Sequence, residues 1–209
     1  MENNTWDKNK KFYGSVILLR LERIEKYYSE FLEFISSQLI DLNNKIDQLN
    51  NESDETNDID SDYYADDYFC IKNIEYNFNK SILISLYSLI EYNLKYFCNK
   101  ASLEHNVKKY QEPRNNIVIN SQIFLHNNIG IKLSNDSEYF IKILNIIRNN
   151  FTHSNGSLKD EDKIKIINKY LKKYSVKGIE IKENNIQISL EFIEYCIQQT
   201  KKYFYELIK

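Results

Sequence analysis

Residues that break helices are scarce in this chain. Its 209 residues include four glycines and a single proline, Pro113. Turn-rich sheet proteins draw heavily on both residue types, so their scarcity argues against such an architecture and favours long helices. The length is enough for one sizeable hydrophobic core, and we expect residues 1–209 to form a single domain.

Long apolar runs and paired cysteines are also missing. No run of eighteen apolar residues occurs and the N-terminus is polar, so we expect neither a signal peptide nor a membrane span. The three cysteines, Cys70, Cys98 and Cys196, form no Cys-x-x-Cys pair, which indicates reduced thiols in a cytoplasmic protein. His105 and His126 have no ligand partner at metal spacing, and we expect neither metal nor cofactor.

Helical periodicity predicts two long helices in the first half of the chain. The first runs from Lys10 to Leu49 and the second from Tyr68 to Asn99, each with an apolar stripe. The stripe of the first helix comprises Phe12, Val16, Leu19, Arg23, Tyr27, Phe31, Phe34 and Ile35. The stripe of the second comprises Ile71, Ile74, Phe78, Ile82, Ser85, Leu89, Tyr92 and Tyr96.

Between these helices lies an acidic segment, residues 51–67, with eight carboxylates and no lysine or arginine. Such a composition predicts a flexible, solvated insert. From Lys100 to Asp136 the pattern is weak, and we expect loops with a short helix or strand around residues 117–125.

The second half predicts further helices and one hairpin. An amphipathic helix is expected from Asp160 to Lys173, and alternating residues on either side of Glu183-Asn184-Asn185 predict a β-hairpin. A final helix from Ser189 to about Ile208 follows, with Ser189 as N-cap. The predicted fold is an all-α up-and-down bundle with a small β-hairpin before the last helix.

The stretch from Asn145 to Gly156, which we call the Arg–His segment, carries the residues best suited to chemistry. Helical spacing puts an apolar stripe on one side, formed by Phe140, Ile143, Leu144, Ile147 and Phe151. The opposite side collects polar residues: Asn145, Arg148, Asn149, Thr152 and His153. Because Ser154-Asn155-Gly156 follows, His153 is expected near a helix C-terminus.

The polar residues of the Arg–His segment suit RNA cleavage. The Arg148 guanidinium is a permanent charge with a fork of donors for phosphate oxygens, and the His153 imidazole titrates near neutrality. Internal attack of a 2′-hydroxyl on the adjacent phosphate needs proton transfer and stabilisation of charge on the phosphoryl oxygens. The alternative is that Arg148 is a helix-end residue and His153 a plain surface residue.

Arg148-Asn149 followed by His153 resembles the signature of the HEPN superfamily, in which an arginine and a polar residue precede a histidine near a helix end. The run from Ser85 to Leu94 is similar to the helix that packs beside the signature helix in that family. The resemblance implies a helical bundle, with metal-independent ribonuclease activity in many members and none in others. It also implies a homodimer that brings two copies of the site together at its interface.

The resemblance further implies roles for neighbouring residues and for partners. Arg148, His153 and Asn149 are the expected catalytic set, supported by Asn145 and Thr152. Glu91 is the one carboxylate near the middle of the second predicted helix, where it either orients Arg148 through a charge-assisted hydrogen bond or is simply exposed. An antitoxin or another antiphage-defence protein is an expected partner. Some HEPN toxins carry a tyrosine two residues after the histidine that their antitoxin modifies, but here that position is Asn155.

Basic residues are concentrated around the Arg–His segment. Residues 142–177 contain nine lysines or arginines and three acids, a net charge of +6. This charge predicts contacts with a polyanion, and Lys142, Lys159 and Lys163 are the expected RNA-binding residues. The alternative is that these lysines only cover the solvent-exposed side of a helix.

Two functions therefore stay open from the sequence. The first is a metal-independent endoribonuclease of the toxin or antiphage type. The second is a catalytically silent HEPN-like helical module that binds a protein or nucleic acid partner. Either predicts the same fold, so the two differ only in whether Arg148 and His153 act on a substrate.

Overall fold

The structure is a computed structural model, and it describes the backbone of residues 3–51 and 57–209. Side chains are described for residues 7–48 and 64–209. Within these ranges the chain is mainly helical, with one two-stranded antiparallel sheet. The predicted all-α bundle with a hairpin before the last helix is confirmed.

Two long helices form an antiparallel pair that spans the molecule. Helix α1 covers Asn3–Asn51 and helix α2 covers Asn57–Glu104, so both extend beyond the predicted boundaries. Their contact is the most extensive between any two elements in the described part of the chain. The phenol of Tyr28 donates a 2.8 Å hydrogen bond to Asn79 Oδ1 in the buried contact between them.

The partly apolar stripe that periodicity identifies on α1 is largely exposed. Its members Phe12, Leu19, Tyr27 and Phe34 face solvent. The core-facing residues instead recur mostly every seventh position, the spacing of a helix that packs along a partner helix. They are Gly14, Ile17, Leu21, Tyr28, Ile35 and Leu42.

The stripe that helical spacing identifies on α2 packs only partly against the core. Phe78, Ile82 and Leu89 pack against the core, but Ile74 and Tyr92 are exposed. The fully buried residues of this helix lie elsewhere on it and include Leu83, Leu86, Ile90 and Leu94. The reason is that α2 packs against α1, α3, α4 and α6, so apolar residues surround much of its circumference. A helix with several apolar sides has no single stripe for periodicity to identify.

Part of the acidic segment is helical and not a loop. Helix α2 begins at Asn57, so residues 57–67 are helical, which corrects the predicted start at Tyr68. Residues 52–56 of the predicted flexible insert lie outside the described residues. The five aspartates among residues 58–67 did not prevent helix formation, because intrinsic helix propensity is a weak preference that tertiary context overrides.

The weakly patterned middle of the chain contains a short helix. Helix α3 covers Ile117–Phe124 and continues into a π-helical turn at Leu125–Ile129. Gly130 ends this turn with φ 80°, a left-handed conformation that glycine adopts without strain. The predicted alternatives were a helix or a strand, and the helix is correct.

Helices α4 and α5 and the hairpin agree closely with the predictions. Helix α4 covers Asn135–Ser154, and α5 covers Glu161–Tyr174 after an N-cap at Asp160. Strands β1, Ile179–Lys182, and β2, Asn185–Ile188, pair through a two-residue turn. Its residues, Glu183 and Asn184, have positive φ values of 49° and 62°, as a type I′ turn requires.

The last helix, α6, covers Leu190–Ile208, and a backbone hydrogen bond holds its start in place. Ser189 is the N-cap as predicted, but its side chain makes no capping hydrogen bond. Its amide instead donates to the Gly178 carbonyl oxygen at 2.7 Å. The hairpin therefore positions the start of α6.

A single hydrophobic core includes residues from the helices and the hairpin. Phe140, Ile147 and Phe151 of α4 belong to it, together with Ile186 of β2 and Phe192 of α6. One side of α4 is thus fixed in the core, so its other side is held in a defined position. Among the described helices, none is both long and apolar enough to span a bilayer.

Candidate active site on helix α4

The apolar stripe predicted for α4 is buried, and its polar side is open. Phe140, Ile143, Leu144, Ile147 and Phe151 are all buried. On the other side Asn145, Arg148 and Asn149 are partly buried, whereas Thr152 and His153 are exposed. The sequence therefore predicted the orientation of this helix correctly.

Helix α4 ends just after His153. The helix C-cap is Asn155, which has a left-handed conformation at φ 47°. Gly156 follows at φ 89°, and its amide donates a 3.0 Å hydrogen bond to the Asn150 carbonyl oxygen. His153 therefore lies in the last helical turn, where the side chain projects next to a sharp change of chain direction.

The chain after α4 is tied to the hairpin and to α2. The Gly156 carbonyl oxygen accepts from the Ile186 amide at 2.9 Å, and the Ile186 carbonyl oxygen accepts from the Tyr76 phenol at 2.9 Å. Lys80 Nζ donates to Asn155 Oδ1 at 2.7 Å. These bonds join α2, β2 and the end of α4, so the position of His153 depends on all three elements.

Arg148 is the centre of a small polar network. Its Nη1 donates a 2.8 Å hydrogen bond to Asn149 Oδ1, and Asn149 Nδ2 donates to Asn145 Oδ1 at 2.9 Å. The guanidinium carbon lies 5.2 Å from the ring centroid of Tyr87 on α2, within cation–π range. Hydrogen bonding and ring stacking together hold the guanidinium in one orientation.

This orientation has an energetic cost. Among the described side chains, Arg148 Nε is the buried nitrogen or oxygen that has no hydrogen-bond partner. An unpaired buried donor costs about 1–3 kcal/mol, and more when the group is charged. Stability alone does not favour such an arrangement, so the burial of Arg148 Nε calls for an explanation.

Tyr87 presents a neutral ring to the guanidinium. Burial, with a contribution from Glu91, raises the pKa of the Tyr87 phenol to about 12, while Arg148 lowers it. The phenol is therefore uncharged throughout the neutral pH range, so the attraction between ring and guanidinium is a cation–π contact and not an ion pair.

His153 is exposed and lies one helical turn after Asn149. Five residues separate it from Arg148, which corresponds to about 7.5 Å along the axis and about 140° around it. No hydrogen bond joins the Arg148 and His153 side chains among the described contacts. Asn149 lies between them on the surface. Its side chain accepts the hydrogen bond from Arg148, and it is on the same side of the helix as His153.

The expected supporting residues differ in how they contact Arg148. Glu91 forms no ion pair or hydrogen bond with Arg148 in the described structure, and Tyr87 takes the orienting role that we predicted for it. Thr152 Oγ1 donates to the Arg148 carbonyl oxygen at 2.8 Å, which is a local helix contact of the common i to i−4 kind. Asn145 does support the site, through Asn149.

The three lysines predicted to bind RNA lie in two places. Lys159 and Lys163 line a surface pocket of about 360 Å³ together with Asn150 and Ser154, at the end of α4. Lys163 Nζ is also 3.2 Å from the Asp160 carboxylate, which reduces its free charge. Lys142 lines a separate pocket of about 720 Å³ between α3 and the first half of α4.

Tyr87, Lys80 and Tyr76 contribute to the site and were not predicted from the sequence. All three lie on the side of α2 that faces α4. Lys80 follows Tyr76 by four residues and Tyr87 follows Lys80 by seven, which are one and two helical turns. Lys80 Nζ is 5.1 Å from the Tyr76 ring centroid and 5.6 Å from that of Phe151. This periodicity was available in the sequence, but nothing there distinguished it from the other apolar sides of α2.

The described residues offer no group of three or more His, Cys, Asp or Glu side chains that could hold a metal ion. The donors that the site does present are a guanidinium, amides and an imidazole. These groups bind anions and transfer protons.

Comparisons of the chain with protein-family models, with curated proteins and with solved structures find no significant match. The HEPN relationship therefore stays a prediction from the Arg148-Asn149 and His153 pattern. The functional argument depends on the geometry of the site itself.

Proposed function

We propose that this protein is a metal-independent endoribonuclease of the toxin or antiphage type, with its active site on the polar side of α4. One observation carries the proposal. An exposed imidazole, His153, lies one turn from an amide, Asn149, that binds the oriented guanidinium of Arg148. The groups are those that RNA cleavage by 2′-hydroxyl attack needs.

Arg148 is the proposed binder of the scissile phosphate. Only Nη1 has a hydrogen-bond partner among the described residues, so Nη2 is free of protein acceptors. The cation–π contact with Tyr87 restrains the guanidinium before substrate arrives. A preoriented donor stabilises developing negative charge without reorganising during the reaction, which is the favourable arrangement for catalysis. The cost of burying Nε is consistent with this role.

His153 is the proposed proton-transfer residue. In the first step a base removes the proton of the 2′-hydroxyl, and the 2′-oxygen forms a bond to phosphorus. The bond from phosphorus to the 5′-oxygen breaks, and an acid protonates that leaving oxygen. The products are a 2′,3′-cyclic phosphate and a 5′-hydroxyl, with no water or metal consumed.

This reaction needs a base and an acid, whereas one copy of the segment supplies one imidazole. A homodimer with two-fold symmetry places two imidazoles at one interface. We therefore propose a composite site between two copies. Lys159 and Lys163 lie beside the end of α4, where they would contact the RNA backbone on either side of the cut.

The proposed setting is the cytoplasm, where an antitoxin or another defence protein controls the activity. The acidic segment at residues 51–67 and the basic segment at residues 142–177 are the oppositely charged regions through which such control would act.

A catalytically silent helical module is the second function that the structure favours on a specific observation. Arg148 is already engaged by Asn149 and Tyr87, and His153 makes no contact with it. If those contacts only stabilise the junction of α2 and α4, Arg148 has a structural role. The same polar surface would then bind a protein or nucleic acid partner without cutting it.

Expression in bacterial cells separates the two functions. We expect the wild type to stop growth and the variants Arg148→Ala and His153→Ala to be harmless. Arg114→Ala and His126→Ala are matched controls, because both residues are exposed and Arg114 begins a second Arg-Asn-Asn triplet that lacks a histidine. These controls should be as toxic as the wild type.

The chemistry of the cut ends tests the mechanism. RNA recovered from these cells should carry 2′,3′-cyclic phosphate and 5′-hydroxyl ends at new cleavage positions. Equal growth of wild type and all four variants would contradict the nuclease proposal and favour the silent module. Cut ends with a 5′-phosphate would contradict internal attack by the 2′-hydroxyl.

A further inference from the structure

Helix α1 has two apolar sides, and only one of them is buried. The buried side packs on α2 and α6. On the other side Phe12, Leu19, Tyr27 and Phe34 are between 56 % and 65 % exposed. Helical geometry places these four residues within a sector about 80° wide, so they form one continuous stripe, which we call the α1 stripe.

The α1 stripe is next to an exposed apolar side of α2. The rings of Tyr13 and Tyr96 lie 4.7 Å apart and those of Phe31 and Phe78 lie 3.7 Å apart, which joins the two helices along this edge. On the same side of α2, Tyr92 is 61 % exposed. Monomers rarely expose an apolar surface of this length, and such surfaces usually mark a partner-binding site.

Two charged residues interrupt the stripe and indicate what covers it. Arg23 lies between Leu19 and Tyr27, and Glu30 lies between Tyr27 and Phe34. Within the described structure Arg23 has no ion pair or hydrogen bond, whereas Glu30 has a weak exposed contact with Lys26 at 3.7 Å. A partner that matches this surface must offer an acid to Arg23 and a base to Glu30.

We propose that the α1 stripe binds the α1 stripe of a second copy in antiparallel orientation. A parallel pair would place Arg23 against Arg23 and Glu30 against Glu30, which is repulsive. In an antiparallel pair that sets Leu19 opposite Phe34, Arg23 lies opposite Glu30 at two symmetric positions. The pairing thus sets apolar Leu19 against Phe34 and opposite charges against each other at two symmetric positions, as a two-fold interface requires.

Charge also selects the register. If Phe12 is instead set opposite Phe34, Leu19 meets Tyr27 but Arg23 meets Arg23 of the second copy. Of these two registers, only the one that sets Leu19 opposite Phe34 pairs Arg23 and Glu30 with opposite charges. It overlaps the two helices from Phe12 to Asp41, a length of about 45 Å at 1.5 Å per residue.

This interface is separate from the proposed active site. Helix α1 packs on α2 and α6, whereas α4 packs on α2, α5 and α6. The α1 pairing therefore does not depend on the nuclease proposal, and failure of either leaves the other standing. If both interfaces form, each copy has two different two-fold contacts, and the assembly is larger than a dimer.

Site-specific cross-linking tests the pairing and its register. The background is the full chain with the exposed Cys70 replaced, Cys70→Ser, because Cys98 and Cys196 are buried. Val16→Cys and Ser37→Cys are near-isosteric changes at positions that face each other in the proposed register. The two variants carry tags of different size, are mixed, and are treated with a short bis-maleimide of about 10 Å reach.

The mixture should give a cross-linked species that neither variant gives alone. In the proposed register the two copies of position 16, and likewise the two copies of position 37, are about 31 Å apart along the axis, beyond the reach of the reagent. Adding Arg23→Glu to both variants should weaken the pairing at least about tenfold, and adding Glu30→Arg to that background should restore it.

Three results would overturn the proposal. The first is that the mixture gives no cross-link, even at the highest protein concentration that stays in solution. The second is that each variant cross-links equally well with itself. The third is that charge reversal has no effect on cross-linking. A circular dichroism spectrum of each variant shows whether the helices are retained, since the cysteine and charge substitutions lie on the outer surface of α1 and Cys70 is an exposed residue of α2. Equal cross-linking of the single variants would indicate a parallel pair.

Discussion

Alanine substitutions at three glycines with left-handed backbone separate two causes of destabilisation, backbone strain and steric overlap, at the end of α4. Gly130, Gly156 and Gly178 have φ values of 80°, 89° and 74°. Alanine at any of them incurs the left-handed penalty of about 1–2 kcal/mol. The surroundings differ, because a β-carbon at Gly130 would have no heavy atom within 4 Å. Gly130→Ala is therefore the control, with an expected loss of about 1 kcal/mol.

The other two substitutions add a steric overlap, and the structure gives the distance from the new β-carbon to its neighbours. At Gly156 the new β-carbon would lie 3.1 Å from the Phe151 ring, which must shift slightly, so we expect a total loss of about 2 kcal/mol. At Gly178 it would lie 2.5 Å from the Phe192 backbone nitrogen and 2.6 Å from Ser189 Oγ. Backbone cannot yield cheaply there, so we expect a loss of about 3 kcal/mol or more.

Urea unfolding followed by circular dichroism measures the three losses, with an unchanged slope as evidence of an unchanged unfolded state. The expected order of destabilisation is Gly130→Ala, then Gly156→Ala, then Gly178→Ala. In thermal unfolding each kcal/mol corresponds to about 2–4 °C for a chain of this size. Equal losses at Gly130 and Gly156 would refute the packing of Phe151 against the end of α4, and with it the fixed position of His153.

Two further predictions concern buried groups. Burial raises the pKa of the Cys98 thiol from its ordinary 9.0 to about 12, so the folded state holds this proton after the unfolded state has lost it. The free energy of unfolding should therefore fall as pH rises from about 9 towards 12, and a urea midpoint that does not fall between pH 8 and pH 10.5 would contradict the burial of Cys98. Cys70 is exposed while Cys98 and Cys196 are buried, so a thiol reagent should modify one cysteine rapidly in the native protein and three in urea. Rapid modification of three in the native protein would show that the core is not closed around α2 and α6.

The sequence was sufficient for elements that have one buried side. Helix α4 has a single apolar stripe between an N-cap at Ser134 and a left-handed end at Asn155, and its orientation was predicted correctly. The hairpin was predicted from alternation around a turn, and its residues Glu183 and Asn184 have the positive φ values that the turn requires. In both cases local chemistry and tertiary packing select the same structure.

The sequence did not identify which sides of the two long helices are buried. On α1 the most regular apolar stripe includes Phe12 and Phe34 and is exposed, while a sparser seven-residue repeat that includes Leu21 and Tyr28 is buried. Periodicity identifies an apolar side, but it does not say whether that side meets the core or another molecule. The exposed apolar stripe on α1 is the observation from which we propose a partner surface.

The candidate site was only partly predictable. Arg148, Asn149 and Asn145 are neighbours on one helix, so their network follows from spacing. Tyr87 lies 61 residues before Arg148 in the sequence, and its stacking on the guanidinium results from how α2 packs on α4. We predicted Glu91, one turn further along α2, because a carboxylate is the usual partner of a guanidinium, whereas an aromatic ring occupies that place.

The most direct test of the central claim is cleavage of purified total tRNA in the presence of EDTA. Wild type and His153→Ala, purified in parallel, are compared at equal concentration, with His126→Ala as the matched control. We predict that wild type and control cut at the same positions and that His153→Ala is at least about a hundredfold slower, because proton transfer contributes that much or more. Cleavage by His153→Ala at the wild-type rate, or no cleavage by the wild type, would contradict the proposed active site.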